Sequence, residues 1–168
     1  MAVKNPKEKG NREERKQARQ LSIWMFDDKD VLKRQSDSGA LELIWSGDVV
    51  PLKQMPLEWK TQFPFLIEVK SGYPKDLPTF WTYNKLSKWV QKSYIESKTH
   101  NQFIIMVITQ FHRKPALISM NYFVKDLPYQ VVFPVECEDT WLHMYVYKLK
   151  ELLNIPFKQA FDFQDIIK

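Results

Sequence analysis

The chain has 168 residues, is 44% hydrophobic and 27% charged, and carries 25 Lys and Arg against 20 Asp and Glu. This is room for one core domain of globular composition, which excludes a disordered or low-complexity chain. The net charge of +5 suits an anionic partner without identifying it.

Divided along the chain, the charge is +4 over residues 1–20, −3 over 21–52, +6 over 53–114 and −2 over 115–168. Two basic segments therefore flank an acidic one. The longest apolar run, Phe103 to Ile108, is too short to cross a bilayer, so no membrane association is expected. The first 20 residues are charged and lack an apolar signal core, which predicts a cytoplasmic protein. A single cysteine, Cys137, excludes a disulfide framework and a Cys-rich zinc site. His100, His112 and His143 are scattered, so a catalytic metal would have to rest on carboxylates.

Residues 1–11 have little to bury and read as a flexible basic arm. A helix is expected from there to about Asp27, because Glu14, Ala18, Leu21 and Met25 share one face. After the polar stretch Gln35 to Gly39, strands are expected over Leu41–Trp45, Asp48–Leu52 and Phe63–Lys70. A helix over Trp81–Ser97 follows from the stripe Tyr83, Leu86, Val90 and Tyr94. Phe103–Thr109 and Ala116–Phe123 form two strands around a basic tip, and Val131–Val135 is one more. Leu142, Tyr145, Leu149 and Leu152 predict a helix over Thr140–Leu153. Phe157, Phe161 and Phe163 would pack on the domain or on a partner. The order is that of an α/β domain, with one mixed sheet flanked by helices and a C-terminal helical extension.

The chemistry concentrates in Phe65-Leu66-Ile67-Glu68-Val69-Lys70. Strand alternation sends Phe65, Ile67 and Val69 to one face and Leu66, Glu68 and Lys70 to the other. An acid and a base thus leave a hydrophobic strand side by side, where both must pair or bind something. Upstream, Asp48 opens an apolar strand after Gly47. If the two segments pair as a hairpin, Asp48 and Glu68 converge on one cation. Hard carboxylate oxygens, the backbone carbonyl of Val69 and waters suit Mg²⁺, with Mn²⁺ as a substitute. Lys70 is placed to orient or help deprotonate an attacking water. The plain alternative for Glu68 and Lys70 is a structural ion pair.

Asp48, then nineteen residues, then Glu68-Val69-Lys70 resembles the motif of the PD-(D/E)xK nuclease superfamily. The Pro of that name is replaced by Gly47, which is similar to archaeal-type Holliday-junction resolvases and related phage-encoded endonucleases. Gly10-Asn11-Arg12-Glu13-Glu14-Arg15 resembles their opening helix, which implies Glu14 as an additional active-site carboxylate and possible metal ligand. The helical register agrees, since Glu14 shares the apolar face and Glu13 does not. Arg34 to Ala40 resembles an Arg-x-x-x-Ser-Gly loop that approaches DNA, and Arg113-Lys114-Pro115 resembles a basic turn of the phage relatives.

The resemblance implies a restriction-endonuclease-like core, α-β-β-β-α-β, over residues 12–123, with 124–168 as an extension. It implies catalysis by Glu14, Asp48, Glu68 and Lys70, and Mg²⁺ held by Asp48, Glu68 and Val69. Candidate DNA contacts are Arg15, Lys33, Arg34, Ser36, Ser38, Gly39, Lys53, Lys85, Lys88, Lys92, Arg113 and Lys114. Nothing resembles a base-reading helix, so structure selectivity is expected over sequence reading. The expected activity is a Mg²⁺-dependent endodeoxyribonuclease acting on branched DNA, dimeric by resemblance, in the host cytoplasm if phage-encoded. The alternatives are a general phage DNA-processing nuclease and a degenerate nuclease fold that binds DNA or protein.

Overall fold

A computed structural model describes residues 6–35, 45–52, 63–73, 84–111 and 114–161. The elements in chain order are helix α1 (Pro6–Phe26), strands β1 (Leu32–Arg34), β2 (Val49–Pro51) and β3 (Phe65–Tyr73), helix α2 (Asn84–Thr99), strands β4 (Ile104–Phe111), β5 (Leu117–Met120), β6 (Val131–Glu136) and β7 (Trp141–Lys148), and short helices α3 (Leu149–Leu153) and α4 (Phe157–Ala160).

The main sheet has five strands in the order β3-β4-β5-β7-β6. β3 and β4 are parallel, with Glu68 opposite Val107 and Lys70 opposite Thr109. The other neighbours are antiparallel. This is the mixed α/β sheet with flanking helices that the sequence predicts. β1 and β2 form a separate antiparallel pair.

The sheet is covered on both faces. On one face Phe65, Ile67 and Val69 of β3 join Ala18, Leu21 and Met25 of α1, together with Phe157 and Phe161. Each fully buried large side chain contributes roughly 1.5–3 kcal/mol. On the other face Leu86 and Val90 of α2 pack on Ile105, Val107, Met144 and Val146. Phe157 and Phe161 are anchored by Trp24, whose ring lies 4.9 Å from that of Phe157. The Trp24 indole also donates to the Ile155 carbonyl at 2.7 Å. The two phenylalanines thus pack on the domain, and Phe163 lies outside the described residues.

Two expectations change and one strand is unforeseen. The arm over residues 1–11 is helical from Pro6. The helix over Thr140–Leu153 is strand β7 followed by one helical turn. Met144 and Val146 serve one core and Tyr147 the other. A strand whose middle, here Met144–Tyr147, packs on both faces is apolar at consecutive positions there and imitates a helical stripe. Finally, β1 escapes the sequence because its three residues are placed by tertiary contacts. Asp27 leaves α1 with a φ of +55°. The buried Ser22 hydroxyl then accepts both the Val31 and Leu32 N–H groups at 3.0 Å, which turns the chain back along α1. The expected strand Leu41–Trp45 lies outside the described residues except for Trp45.

Candidate active site

Asp48, Glu68 and Lys70 come together at the free edge of β3, but not through a hairpin. Gly47 lies alongside Ile67 in a single parallel bridge. The Asp48 N–H donates to the Ile67 carbonyl at 2.8 Å. Gly47 has a φ of +111°, and a Cβ there would sit 2.7 Å from the Ile67 oxygen. Only glycine lets the two backbones approach this closely.

The Asp48 carboxylate then accepts the Val69 N–H at 2.7 Å through Oδ2. A strand residue's N–H and C=O face the same neighbour, so the Val69 carbonyl faces the Asp48 side as well. The Lys70 ammonium bonds Glu68 directly and reaches Asp48 Oδ2 at 3.3 Å. One cation therefore bridges two carboxylates, and the Glu68 side chain is only 8% exposed.

The electrostatics follow from that crowding. Burial, and next the negative charge of Asp48, push the Glu68 pKa up to about 7 against the opposing pull of Lys70. Burial disfavours the Lys70 ammonium, yet Glu68 and Asp48 outweigh it and hold its pKa above the ordinary lysine value. Two acids compete for one base, and the site favours any further positive charge.

Glu14 stands in a different contact. Arg34 Nε donates to Glu14 Oε2 at 2.5 Å. Arg34 lies opposite Val49 in the β1–β2 pair, and the Gln35 N–H donates to the Asp48 carbonyl at 2.9 Å. The Glu14–Arg34 pair is thus one strand away from Asp48. Among the described residues no three His, Cys, Asp or Glu side chains form a group able to hold a metal ion, so Glu14 is not gathered with Asp48 and Glu68.

Beside this pair a cavity of about 280 Å³ opens between α1 and β1. Ala18 and Leu32 form its apolar lining, and Arg15, Arg19, Lys29, Lys33 and Arg34 surround it against the single acid Asp30. Arg15, Lys33 and Arg34 are among the residues singled out from the sequence. Lys29 was missed, and Arg19, one helical turn after Arg15, was not singled out by itself.

Lys85, Lys88 and Lys92 are exposed along α2, and Lys92 pairs with Glu96 at 3.3 Å. Lys114 is exposed in the β4–β5 turn, where its carbonyl accepts from Gln110 at 2.8 Å. That turn follows the end of β4 that runs beside Lys70 and Ser71. Ser36, Ser38, Gly39, Lys53 and Arg113 lie outside the described residues.

The donor set fits a hard divalent cation: two carboxylates and a carbonyl on one side, already bridged by an ammonium. No helix among the described residues is long and apolar enough to cross a membrane. No curated protein and no solved structure matches the chain. A family model described as "Phage putative PDDEXK endonuclease" matches residues 5–161, a span that contains Glu14, Asp48, Glu68 and Lys70, and the chain belongs to that family of PD-(D/E)xK phage nucleases.

Proposed function

We propose that the chain is a Mg²⁺-dependent endodeoxyribonuclease with the branch selectivity of a Holliday-junction resolvase, acting as a homodimer in the host cytoplasm. The observation that carries this reading is the convergence of Asp48, Glu68 and Lys70 on one edge of β3. Asp48 and Glu68 would hold the cation, with the Val69 carbonyl as a third oxygen donor. A divalent cation bound there activates water and stabilises the charge that builds on a phosphoryl group.

The residues divide the remaining work. Glu68 must lose its proton before it can act as a ligand, which favours neutral to alkaline solution. Lys70 keeps its charge, so it suits orienting water and stabilising a phosphoryl oxygen better than accepting a proton. Glu14 and Arg34 are oppositely charged partners that a DNA phosphate would separate, since the phosphate competes for the guanidinium. The basic cavity beside them is a track for the strand on either side of the cut.

The test is cleavage of a labelled four-way junction, a linear duplex and a single strand, with Mg²⁺ or with EDTA. Junction cutting that requires Mg²⁺ and disappears in Glu68→Ala is the expected result. Equal cutting of duplex favours a general DNA-processing nuclease. Binding of DNA without cutting of any substrate, unchanged by Glu68→Ala, overturns the enzymatic reading.

A further inference from the structure

We propose that Gln102 is a positioning residue for Asp48, holding the Ser46-Gly47-Asp48 segment against β3 so that the carboxylate meets Val69 and Lys70. The inference rests on the nuclease reading, which it deepens. Gln102 is 1% exposed and sits just before β4, outside the motif residues. Its Oε1 accepts the Ser46 N–H at 2.9 Å. Its Nε2 donates to the Phe65 carbonyl at 2.6 Å and to the Ser46 carbonyl at 3.3 Å. One side-chain amide thus ties the approach to Asp48 to the first residue of the strand that carries Glu68 and Lys70.

The amide is itself fixed. Asn101 ends α2 with a φ of +53°, and the Gln102 N–H donates to the Ser97 carbonyl at 2.8 Å. A second brace comes from the same helix, because the Ser46 hydroxyl donates to Glu96 Oε2 at 3.1 Å. β2 is not a member of the main sheet, and Gly47 meets β3 through one bridge only. Asp48 itself is held by two backbone bonds, from its N–H to Ile67 and from Gln35 to its carbonyl, and the segment before it rests on Gln102. Gln102 supplies both a donor and an acceptor to Ser46, two residues before the carboxylate. A shift of about 1 Å at a reacting group is enough to lower a rate roughly a hundredfold.

A second amide, bonded to the start of the same strand β4, provides a control. Asn121 Oδ1 accepts the Ile105 N–H at 2.8 Å, and its Nδ2 donates to the Phe103 carbonyl at 2.9 Å. This amide also ties chain segments together, but its bonds go to Phe103 and Ile105 rather than to Ser46 or Asp48. Gln102→Ala, Gln102→Glu and Asn121→Ala are compared in the full chain by two measurements. The first is hydrogen exchange of the Val69 and Ile105 amides in metal-free protein. The second is Mn²⁺ affinity by calorimetric titration.

Gln102→Ala is expected to speed Val69 exchange about tenfold relative to Ile105 and to weaken Mn²⁺ binding about 10–100-fold, the range for groups that orient metal ligands. Gln102→Glu removes the Nε2 donor at nearly constant shape and is expected to move both readouts in the same direction; it decides the matter if Gln102→Ala does not fold. Asn121→Ala is expected to speed Ile105 exchange and to leave Mn²⁺ affinity within about twofold. Unchanged Val69 exchange in the folded Gln102 variants overturns the proposal, and so does an equal loss of Mn²⁺ affinity in Asn121→Ala. Absence of Mn²⁺ binding by the unaltered chain overturns the cation reading instead, and amide exchange alone then decides the role of Gln102.

Discussion

Replacing Gly47 by Ala tests the backbone approach on which the site depends. Its φ of +111° lies where residues with a Cβ are strained, at about 1–3 kcal/mol. The new Cβ would also lie 2.7 Å from the Ile67 oxygen and 3.0 Å from the Ile67 nitrogen. Both are backbone atoms of a strand buried on both faces and paired with β4 on its other edge, so relief requires moving the Asp48 segment outward. Overpacking of this kind adds about 1–3 kcal/mol. The sum, about 2–6 kcal/mol, is a large part of the stability of an ordinary domain. For a chain of this size it corresponds to a fall in Tm of roughly 10 °C. The assay is thermal and urea unfolding of metal-free protein, with amide spectra recorded well below the transition. There the Val69 resonance should shift and cleavage should be lost, because the outward move breaks the bond from Val69 N–H to Asp48. A Tm within about 3 °C of the original, with the Val69 resonance unmoved, would refute the reasoning.

Three further outcomes are expected. The Glu68 carboxyl titrates at about 7 in the folded chain against 4.5 as its ordinary value. The folded state therefore holds an extra proton between these values, and stability from this group is complete below 4.5 and lost as pH rises through 7, by about 3 kcal/mol. Urea unfolding across that window should show the decline in the unaltered chain and its absence in Glu68→Gln. Arg19→Ala combined with Lys33→Ala should lower the slope of log affinity for DNA against log salt by about 2, read by anisotropy titration at several salt concentrations. Trp24→Phe keeps an aromatic ring against Phe157 and Phe161 but removes the bond to Ile155, and should lower stability by about 1 kcal/mol in urea unfolding.

How much of this was legible in the sequence depended on whether local pattern or distant contact decided each element. α1 and β3 were readable because Ala18, Leu21 and Met25, and Phe65, Ile67 and Val69, each face one core with the period of their element. β7 was not, since Met144, Val146 and Tyr147 fill cores on both faces and erase the alternation. At the candidate site, Asp48, Glu68 and Lys70 were singled out through chemistry carried on a recognisable strand and through the motif it resembles. Their parallel rather than hairpin approach was hidden, because one bridge at Gly47 and three bonds from Gln102 create it. A lone glutamine before a strand gives no pattern to read. Glu14 pairs with Arg34, a partner twenty positions away on a strand too short to predict.

The charge count at β3 bears on the choice between a working site and a structural ion pair. A structural pair needs one acid for one base, and a buried pair is at best a neutral contribution to stability. Here Lys70 faces two acids, and after burial, the larger cause, the surplus negative charge of Asp48 helps raise the pKa of Glu68. A chain selected only to hold its fold would relieve this by neutralising one of them. Asp48→Asn is the direct test, since an amide oxygen keeps the acceptor for Val69 N–H while removing the charge that opposes Glu68. In metal-free protein at pH 8 this variant should be as stable as the original or more so, by up to about 1 kcal/mol in urea unfolding. Glu68 should then titrate closer to its ordinary value, while Mn²⁺ affinity and DNA cleavage are lost. Sites that give up stability for chemistry behave this way. A loss of stability beyond about 1 kcal/mol in Asp48→Asn would instead make both carboxylates structural, and the surplus charge would need another explanation.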